Sequence, residues 1–270
     1  MKKTKRIFRW FTGILYPRRC PLCGELLSRK EKRVCDSCRP SVRLIEEPFC
    51  LKCGKPLARP EQEYCQDCLR NRRHFDAGRA AFPYLGKFRK SIRDLKLHNK
   101  RSYGAFFAEA MTAVLQEEVA QWEIDVIAPV PLHPKKRRYR GFNQAELLAF
   151  PIGEALGIPV IPDLLCKREE TSEQKELDRK SRPKNLKRAV KIGPYDVKVS
   201  RVLLVDDIFT TGSTVDAAAA VLKEAGAEAV FFLTACIGTE REGGMQETEA
   251  IGERHGKRKP DPYNDRYSGL

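Results

Sequence analysis

The sequence predicts an α/β fold built on a parallel β-sheet, preceded by a small cysteine-rich module. For the sheet, an apolar run at residues 202–205 is followed by a polar loop, a helical segment and a second apolar run. A strand, a crossover helix and a second strand form a parallel pair, and parallel strands are buried on both faces. For the module, pairs of cysteines recur at regular spacing before residue 75. Because the two patterns do not overlap, we expect two units in the chain.

Length and composition exclude several classes of protein. The chain has 270 residues, 41% of them hydrophobic, which is enough to bury the core of one or two domains. It contains no run of 18 apolar residues, so no membrane-spanning helix is expected. Lysine and arginine number 51 against 36 acidic residues, a formal net charge of +15. This charge favours a polyanionic partner and leaves open whether that partner is nucleic acid, a nucleotide or an anionic membrane.

The positive charge is concentrated near the beginning of the chain. Residues 1–75 carry 19 basic and 8 acidic side chains and hold eight of the ten cysteines. Residues 76–239 have an ordinary globular composition, whereas residues 240–270 combine charge, glycine and proline with little apolar periodicity. We therefore predict a cysteine-rich module with a leading helix at 1–75, an α/β domain at 76–239 and a disordered tail at 240–270.

The first residues, MKKTKRIFRWFTGILY, suggest a signal peptide, but the uncharged stretch is short and lacks a small-residue cleavage site. An amphipathic helix fits better, because Ile7, Phe8, Phe11 and Leu15 fall on one broad face. We expect this helix to pack on the neighbouring module, with peripheral contact to the inner membrane face as the alternative. The predicted location is the cytoplasm.

The cysteines form four C-x-x-C pairs that recur every fifteen residues, and CPLCGELLSRKEKRVCDSC is echoed by CLKCGKPLARPEQEYCQDC. Each pair presents two thiolates to one tetrahedral metal ion, and two pairs complete a closed structural zinc site. The spacing therefore predicts two zinc ribbons with the ligand sets Cys20, Cys23, Cys35, Cys38 and Cys50, Cys53, Cys65, Cys68. Interleaved pairing of the ligands stays open, and a disulfide framework is the alternative for a secreted chain.

The segment RVLLVDDIFTTGSTVDAAAAVLKEAGAEAVFFLTACIG carries the clearest chemical motif. A strand at 202–205 is predicted to lead into a helix at 217–225, closed by Gly226, and then into a strand at 230–237. Ligands of such sheets bind beyond the carboxyl ends of the strands, where Asp206 and Asp207 stand.

A phosphate loop, residues 210–214 (TTGST), follows the two aspartates. Its hydroxyls and accessible backbone N–H groups lie at a helix N-terminus, which favours a phosphate. The loop residues are Thr210, Thr211, Gly212, Ser213 and Thr214. Asp206 and Asp207 are suited to accept hydrogen bonds from sugar hydroxyls, so phosphate and ribose would be held together. If the loop hydroxyls merely capped the helix, the paired aspartates would have no explanation.

Four apolar residues, two acids and TTGST resemble the fingerprint of the type I phosphoribosyltransferases. Two further segments are similar to one branch, the ComF competence family: APVPLHPKKRRYRGFNQAELL at 128–148 and KREETSEQKELDRKSRPKNLKRAV at 167–190. They resemble the pyrophosphate-side loop with its strand and the mobile loop of that branch, and paired zinc ribbons are likewise typical of it. The resemblance covers about residues 16–239.

The resemblance implies a phosphoribosyltransferase fold that binds phosphoribosyl pyrophosphate, with magnesium on the pyrophosphate. Asp206 and Asp207 would hold the ribose and the phosphate loop the 5-phosphate. Arg168 and Arg182 lie in the segment that resembles the mobile loop, where they would stabilise the departing pyrophosphate. A linker is the alternative interpretation of that segment.

Three basic residues of the 128–148 segment are candidates for pyrophosphate contact: Lys135, Arg138 and Arg140. A solvated surface is the alternative for such a charge run. His133, between Leu132 and Pro134, fits a structural role better than that of a general base.

Two further expectations concern helices. Lys96 belongs to a basic helix face at 87–100 and is placed to reach the mouth of the site, with a solvated face as an equal interpretation. Pro151 is expected to break the helix that follows Gly141.

Two functions follow. The first is magnesium-dependent phosphoribosyl transfer, a pentosyl transfer to a nitrogen nucleophile. The second is handling of single-stranded DNA in natural transformation, which the ComF resemblance implies, together with other DNA-uptake proteins as partners. In that case the basic zinc module and its aromatics Phe49, Tyr64 and Phe75 would bind the strand, and the phosphoribosyl site would serve binding or regulation. The two are compatible, and turnover and the acceptor stay open.

Overall fold

The computed structural model describes residues 17–167, 190–198 and 200–239, except for the side chains of Glu117 and Val119. Three predicted features lie outside the described residues. They are the N-terminal helix up to residue 16, residues 168–189 with Arg168 and Arg182, and the tail at 240–270.

Strands and helices alternate through most of the described chain. The strands are β1 (Ala77–Pro83), β2 (Val126–Pro129), β3 (Leu165–Lys167), β4 (Val190–Ile192), β5 (Arg201–Phe209) and β6 (Ala229–Ile237). The α-helices are α1 (Gln66–Arg70), α2 (Gly86–Leu97), α3 (Gly104–Trp122), α4 (Pro134–Arg140), α5 (Gln144–Leu156) and α6 (Ser213–Glu224).

The main sheet has four strands in the order β1-β6-β5-β2, and all three neighbouring pairs are parallel. The α/β prediction is therefore confirmed. Residues 202–205 are fully buried at the centre of β5, as a strand covered on both faces requires. The strand is longer than its apolar run, because it continues through Asp206 and Asp207 to Phe209. Strands β3 and β4 form a separate antiparallel pair.

Each face of the sheet has its own apolar core. On one face, Leu203 and Val205 of β5 pack in a cluster with residues of α3 and α5. On the other face, Val202 and Leu204 pack in a cluster with residues of α6. This alternation follows from the two-residue period of a strand.

The cysteine-rich module covers the open edge of the sheet, which is strand β1. The Ile45 N–H, in the link between the two ribbons, donates a hydrogen bond of 3.0 Å to the carbonyl oxygen of Ala81. Gly54, in the second ribbon, approaches β1 so closely that a Cβ there would lie 2.7 Å from the Gly78 carbonyl oxygen. Exposed edge strands pair with other chains, and the module prevents this along β1.

The two ribbons also divide between the two cores. Cys20, Leu22 and Val34 of the first ribbon belong to the cluster on the α3 face. Cys50 and Cys65 of the second ribbon belong to the cluster on the α6 face. The module therefore packs on both sides of one sheet edge and shares its cores with the sheet.

The expectation that Pro151 breaks its helix is wrong. Helix α5 runs from Gln144 to Leu156 with Pro151 inside it. Proline removes one backbone hydrogen bond, but Pro151 is on the exposed side of the helix. On the opposite side Leu148 and Ile152 are fully buried against the sheet, and this packing keeps the helix continuous.

Candidate functional site

Asp206 and Asp207 form the centre of the candidate site, near the carboxyl end of β5. Asp207 is buried and forms an ion pair with Lys96, whose Nζ lies 2.9 Å from Oδ1 of Asp207. The Asp207 backbone N–H donates to Oδ1 of Asp206 at 2.8 Å. Helix α2 brings Lys96 here because Ile92 and Leu95 on the same helix are fully buried. The structure therefore places Lys96 beside Asp207.

The two carboxyl groups differ in their electrostatics. Burial and the neighbouring Asp207 charge together raise the pKa of Asp206 to about 8, although Lys96 acts in the opposite direction. Asp206 therefore holds a proton at neutral pH in the unliganded protein, while Lys96 balances the charge of Asp207. Burial also raises the pKa of the Cys236 thiol well above its usual range, which makes this thiol unreactive.

The phosphate loop begins one residue after β5 ends. Gly212 has φ +73°, and a Cβ there would lie 2.4 Å from Cζ of Phe209, so only glycine fits. Oγ1 of Thr211 lies 2.8 Å from Oγ of Ser213 and accepts a weak hydrogen bond of 3.4 Å from the Ser213 N–H. Helix α6 starts at Ser213, earlier than the predicted residue 217, so its N-terminus lies within the loop. Thr210 and Thr211 are exposed, and the loop is open to a ligand.

The basic residues of the 128–148 segment lie on the neighbouring strand's exit. The predicted loop is here the short helix α4, which follows β2 and ends at Gly141 with φ +74°. Lys135 and Arg138 are exposed on this helix, whereas Arg140 donates a hydrogen bond of 2.9 Å to Oε1 of Gln144. Since β2 and β5 are adjacent and parallel, α4 and the phosphate loop lie at the same edge of the sheet.

His133 stands at the N-cap position of helix α4. Its Nδ1 accepts a hydrogen bond of 3.2 Å from the Lys135 backbone N–H and so caps the helix. The structural interpretation of this histidine is the one that the contact supports.

The eight cysteines form two separate clusters with the predicted sequential pairing. Within each cluster all four Sγ atoms lie within 4.8 Å of one another. Sγ of Cys23 and Cys35 are 3.6 Å apart, and the same distance separates Cys53 from Cys65. A tetrahedral zinc ion with Zn–S bonds of about 2.3 Å requires sulfurs about 3.8 Å apart. The donor sets therefore fit two closed Cys₄ zinc sites, and all ten cysteines are free thiols.

Comparison with known families and proteins agrees with this geometry. Residues 11–69 match the double zinc ribbon domain family, and residues 167–252 match the phosphoribosyl transferase domain family. The chain is 35% identical over 108 residues to Competence protein F of Haemophilus influenzae, covering 39% of this chain and 47% of that protein. It is 32% identical over 160 residues to Competence protein ComFC of Streptococcus pneumoniae, covering 56% and 64%.

Over part of its length the chain is similar to the ComF-type competence proteins. A third relative, the DNA utilization protein YhgH of Escherichia coli K12, is 36% identical over 106 residues, covering 39% of this chain and 46% of that protein. The chain thus spans between 46% and 64% of the length of these relatives. The fold of the chain is a phosphoribosyltransferase-like parallel sheet with an N-terminal double zinc ribbon.

The aromatic residues of the zinc module do not form the stacking surface that the sequence suggests. Phe75 is fully buried, and its ring packs edge-on against Phe232 with centroids 4.9 Å apart. Phe49 is covered by the Arg79 guanidinium, 3.3 Å from the ring centroid. Of the three aromatics named above, only Tyr64 is exposed. Stacking of a base on Phe75 is therefore excluded in this arrangement, and Arg79 occupies one face of the Phe49 ring.

One contact of the candidate site was not predicted from the sequence, that of His74 with Asp216. The His74 backbone N–H donates a hydrogen bond of 2.7 Å to Oδ1 of Asp216, and its Nδ1 lies 3.2 Å from Oδ2. Asp216 stands in the first turn of α6, directly after the phosphate loop. Because 142 positions separate the two residues, only an acidic residue in a first helical turn was visible beforehand, and nothing in the sequence identified its partner.

Proposed function

We propose that the site binds phosphoribosyl pyrophosphate together with magnesium. One observation carries this proposal: the adjacent Asp206 and Asp207 lie at the end of β5, immediately before a phosphate loop at the N-terminus of α6. Carboxylates accept hydrogen bonds from ribose hydroxyls, and helix N-termini bind phosphate. The phosphoribosyl transferase domain match, which covers these residues, supports the proposal.

Each part of the ligand has candidate partners in the chain. Asp206 and Asp207 would hold the ribose hydroxyls, and Lys96 would orient the Asp207 side chain through their 2.9 Å contact. The phosphate loop would hold the 5-phosphate through its N–H groups and hydroxyls. The candidates for the pyrophosphate are Lys135, Arg138, Arg140 and, outside the described residues, Arg168 and Arg182. Magnesium would neutralise part of the pyrophosphate charge when bound.

If turnover occurs, the reaction is a pentosyl transfer. A nitrogen nucleophile forms a bond to the anomeric carbon as the bond from that carbon to the pyrophosphate oxygen breaks, and pyrophosphate leaves with both electrons. The protein would contribute positioning and charge stabilisation without a covalent nucleophile. The segment at 167–190 would exclude water from the oxocarbenium-like transition state. Pyrophosphate release measured across a panel of nitrogen acceptors, with and without DNA, tests for turnover.

Isothermal titration with phosphoribosyl pyrophosphate and magnesium tests the binding step. We expect saturable heat with the wild-type chain and at least a tenfold loss of affinity, about 1.4 kcal/mol, in the double variant Asp206→Asn with Asp207→Asn. Both changes preserve side-chain shape, remove the negative charge and replace one acceptor oxygen of each carboxylate by an N–H donor. Glu154→Gln, on the exposed side of α5, is the matched control and should bind as wild type. No heat with the wild type, or equal binding by the double variant, contradicts the proposal.

A second proposed function is binding of single-stranded DNA by the zinc module. The observation that favours it is the density of exposed basic side chains between residues 17 and 75, and the relatives are named for competence and DNA utilization. These exposed residues are Arg18, Arg19, Arg29, Lys30, Lys32, Arg39, Arg43, Arg59, Arg70 and Arg72. Since Phe75 is buried and Arg79 covers Phe49, we propose that charge supplies most of the affinity.

Charge reversal on the intact chain tests this surface, because deletion of the module would uncover both cores of the sheet. We expect Lys30→Glu with Lys32→Glu to weaken binding of oligo(dT) and to reduce the slope of log K against log salt by about 1.4. Lys191→Glu with Lys198→Glu makes the same charge change on exposed residues outside the module. Equal losses in both double variants would show that the module is not the binding surface.

Among the described residues, no helix combines the length and the apolar character needed to cross a bilayer. A cytoplasmic location and a peripheral membrane contact of residues 1–16 remain proposals. Flotation of the full chain with anionic vesicles tests the second.

A further inference from the structure

Two residues join the second zinc site to the phosphate loop. His74 and Phe75 follow the second ribbon, whose ligands end at Cys68, and precede strand β1. The mechanism proposed above assigns no role to either residue. Both nevertheless contact residues that flank the segment that would bind the 5-phosphate: His74 contacts Asp216, and Phe75 packs against Phe209.

Phe75 supports the phosphate loop through its packing against two aromatic rings, Phe209 and Phe232. Its ring centroid lies 6.0 Å from that of Phe209, the last residue of β5, in an edge-on arrangement. The Phe209 ring stacks on Phe232 with centroids 4.6 Å apart and is the surface on which Gly212 rests. A shift of Phe75 would therefore move the ring that fixes Gly212, because close-packed interiors transmit such displacements.

The other side of Phe75 faces the zinc ribbon. Lys52, between Cys50 and Cys53, places its Nζ 5.6 Å from the Phe75 ring centroid. Cys50, Cys53 and Cys65 belong to the same apolar cluster as Phe75, Phe209 and Val215 of α6. The second zinc site and the start of α6 are thus parts of one packed core, whereas the first ribbon packs on the opposite face of the sheet.

His74 adds a polar contact to the same place. Its backbone N–H and its ring Nδ1 contact the two carboxylate oxygens of Asp216, at 2.7 and 3.2 Å. The Asp216 N–H in turn donates a hydrogen bond of 2.8 Å to the Gly212 carbonyl oxygen. His74 therefore fixes the first turn of α6, whose N–H groups would face the phosphate.

We propose that His74 and Phe75 are positioning residues through which the second zinc site orders the phosphate loop. Zinc-dependent order in residues 50–68 and ligand binding at residues 210–214 are then thermodynamically linked, and the linkage is reciprocal. The ligand half of this statement rests on the proposed function. The structural half, the effect of His74 and Phe75 on the loop, does not.

Amide hydrogen exchange on the full chain, with zinc content measured in parallel, tests both halves. Without any ligand, we expect His74→Ala and Phe75→Leu to retain two zinc ions per chain and to exchange about fivefold or more faster at residues 212–216. Tyr64→Leu is the control, because it removes an exposed aromatic of the same ribbon. Unchanged exchange at 212–216 in both zinc-loaded variants overturns the proposal, whatever the protein binds.

Addition of phosphoribosyl pyrophosphate and magnesium tests reciprocity. In the wild type we expect protection of residues 50–68 beyond that of residues 20–38, and in His74→Ala and Phe75→Leu this difference should disappear while Tyr64→Leu keeps it. Equal protection of both ribbons in a wild type that binds the ligand overturns the linkage. If the wild type binds no ligand, the proposed function fails while the ligand-free result still decides the role of His74 and Phe75. If either His74→Ala or Phe75→Leu loses zinc, the other of these two variants supplies the comparison, alone and combined with Asp216→Asn.

Discussion

Asp206 illustrates how one side chain can set a pH dependence. Burial and the neighbouring Asp207 charge raise its pKa to about 8, whereas an aspartate in the unfolded chain ionises near about 3.9. Between these values the folded state binds more protons than the unfolded state, so stability falls as pH rises from about 4 to about 8. Asp206→Asn removes this titration. We therefore expect the melting temperature of the variant, relative to wild type, to rise across that interval in thermal denaturation without ligand.

The matched control at the residue scale is Asp196→Asn, in an exposed turn where the carboxylate accepts a hydrogen bond from the Lys198 N–H. Its melting temperature should follow that of the wild type at every pH. Parallel profiles for wild type and Asp206→Asn would show that Asp206 ionises normally. The sequence predicted this residue as a site residue but not its protonation, because burial and the Lys96 contact depend on how α2 packs.

At the scale of elements, the phosphate loop depends on one glycine. In Gly212→Ala the positive φ costs about 1–2 kcal/mol and contact with the Phe209 ring adds about 1–3 kcal/mol. We expect urea denaturation to show a loss of stability of about 2 kcal/mol or more. Gly157→Ala is the control, since Gly157 has φ +69° with no atom within 4 Å of a Cβ. It should lose only the backbone part, and equal losses in both variants would contradict the close packing of the loop.

The same scale separates what sequence patterns predict from what they do not. The β5–α6–β6 unit, the ligand pairing of both zinc sites and the approach of Lys96 were predicted, because each follows from local periodicity or from short spacing. The helix at α4 and the continuity of α5 through Pro151 were not predicted. In α5, tertiary packing overrides the local effect of proline. Helix α4 has no buried residue, and its start is held by the His133 cap. The contacts of Ile45 with Ala81 and of His74 with Asp216 join distant positions that no local pattern connects.

For the whole molecule, the structure joins the zinc module and the sheet more closely than a division near residue 75 suggests. The first ribbon contributes to one core and the second ribbon to the other, and their link hydrogen-bonds to edge strand β1. Closed zinc sites contribute directly to folding free energy. Zinc removal should therefore open both cores and uncover a strand edge, so that the ribbons and the sheet lose structure together.

Tryptophan fluorescence can report this loss from inside the sheet. Trp122 is buried and stacks on Phe231 of β6, with ring centroids 4.6 Å apart. In a Trp10→Phe background it is the sole tryptophan of the chain, and we expect its emission to shift to the red in one transition as a chelator removes zinc. Chelator already saturated with zinc is the control. Unshifted emission after both zinc ions have left would show that the sheet holds its core without the ribbons, because Trp122 would then still be packed on β6.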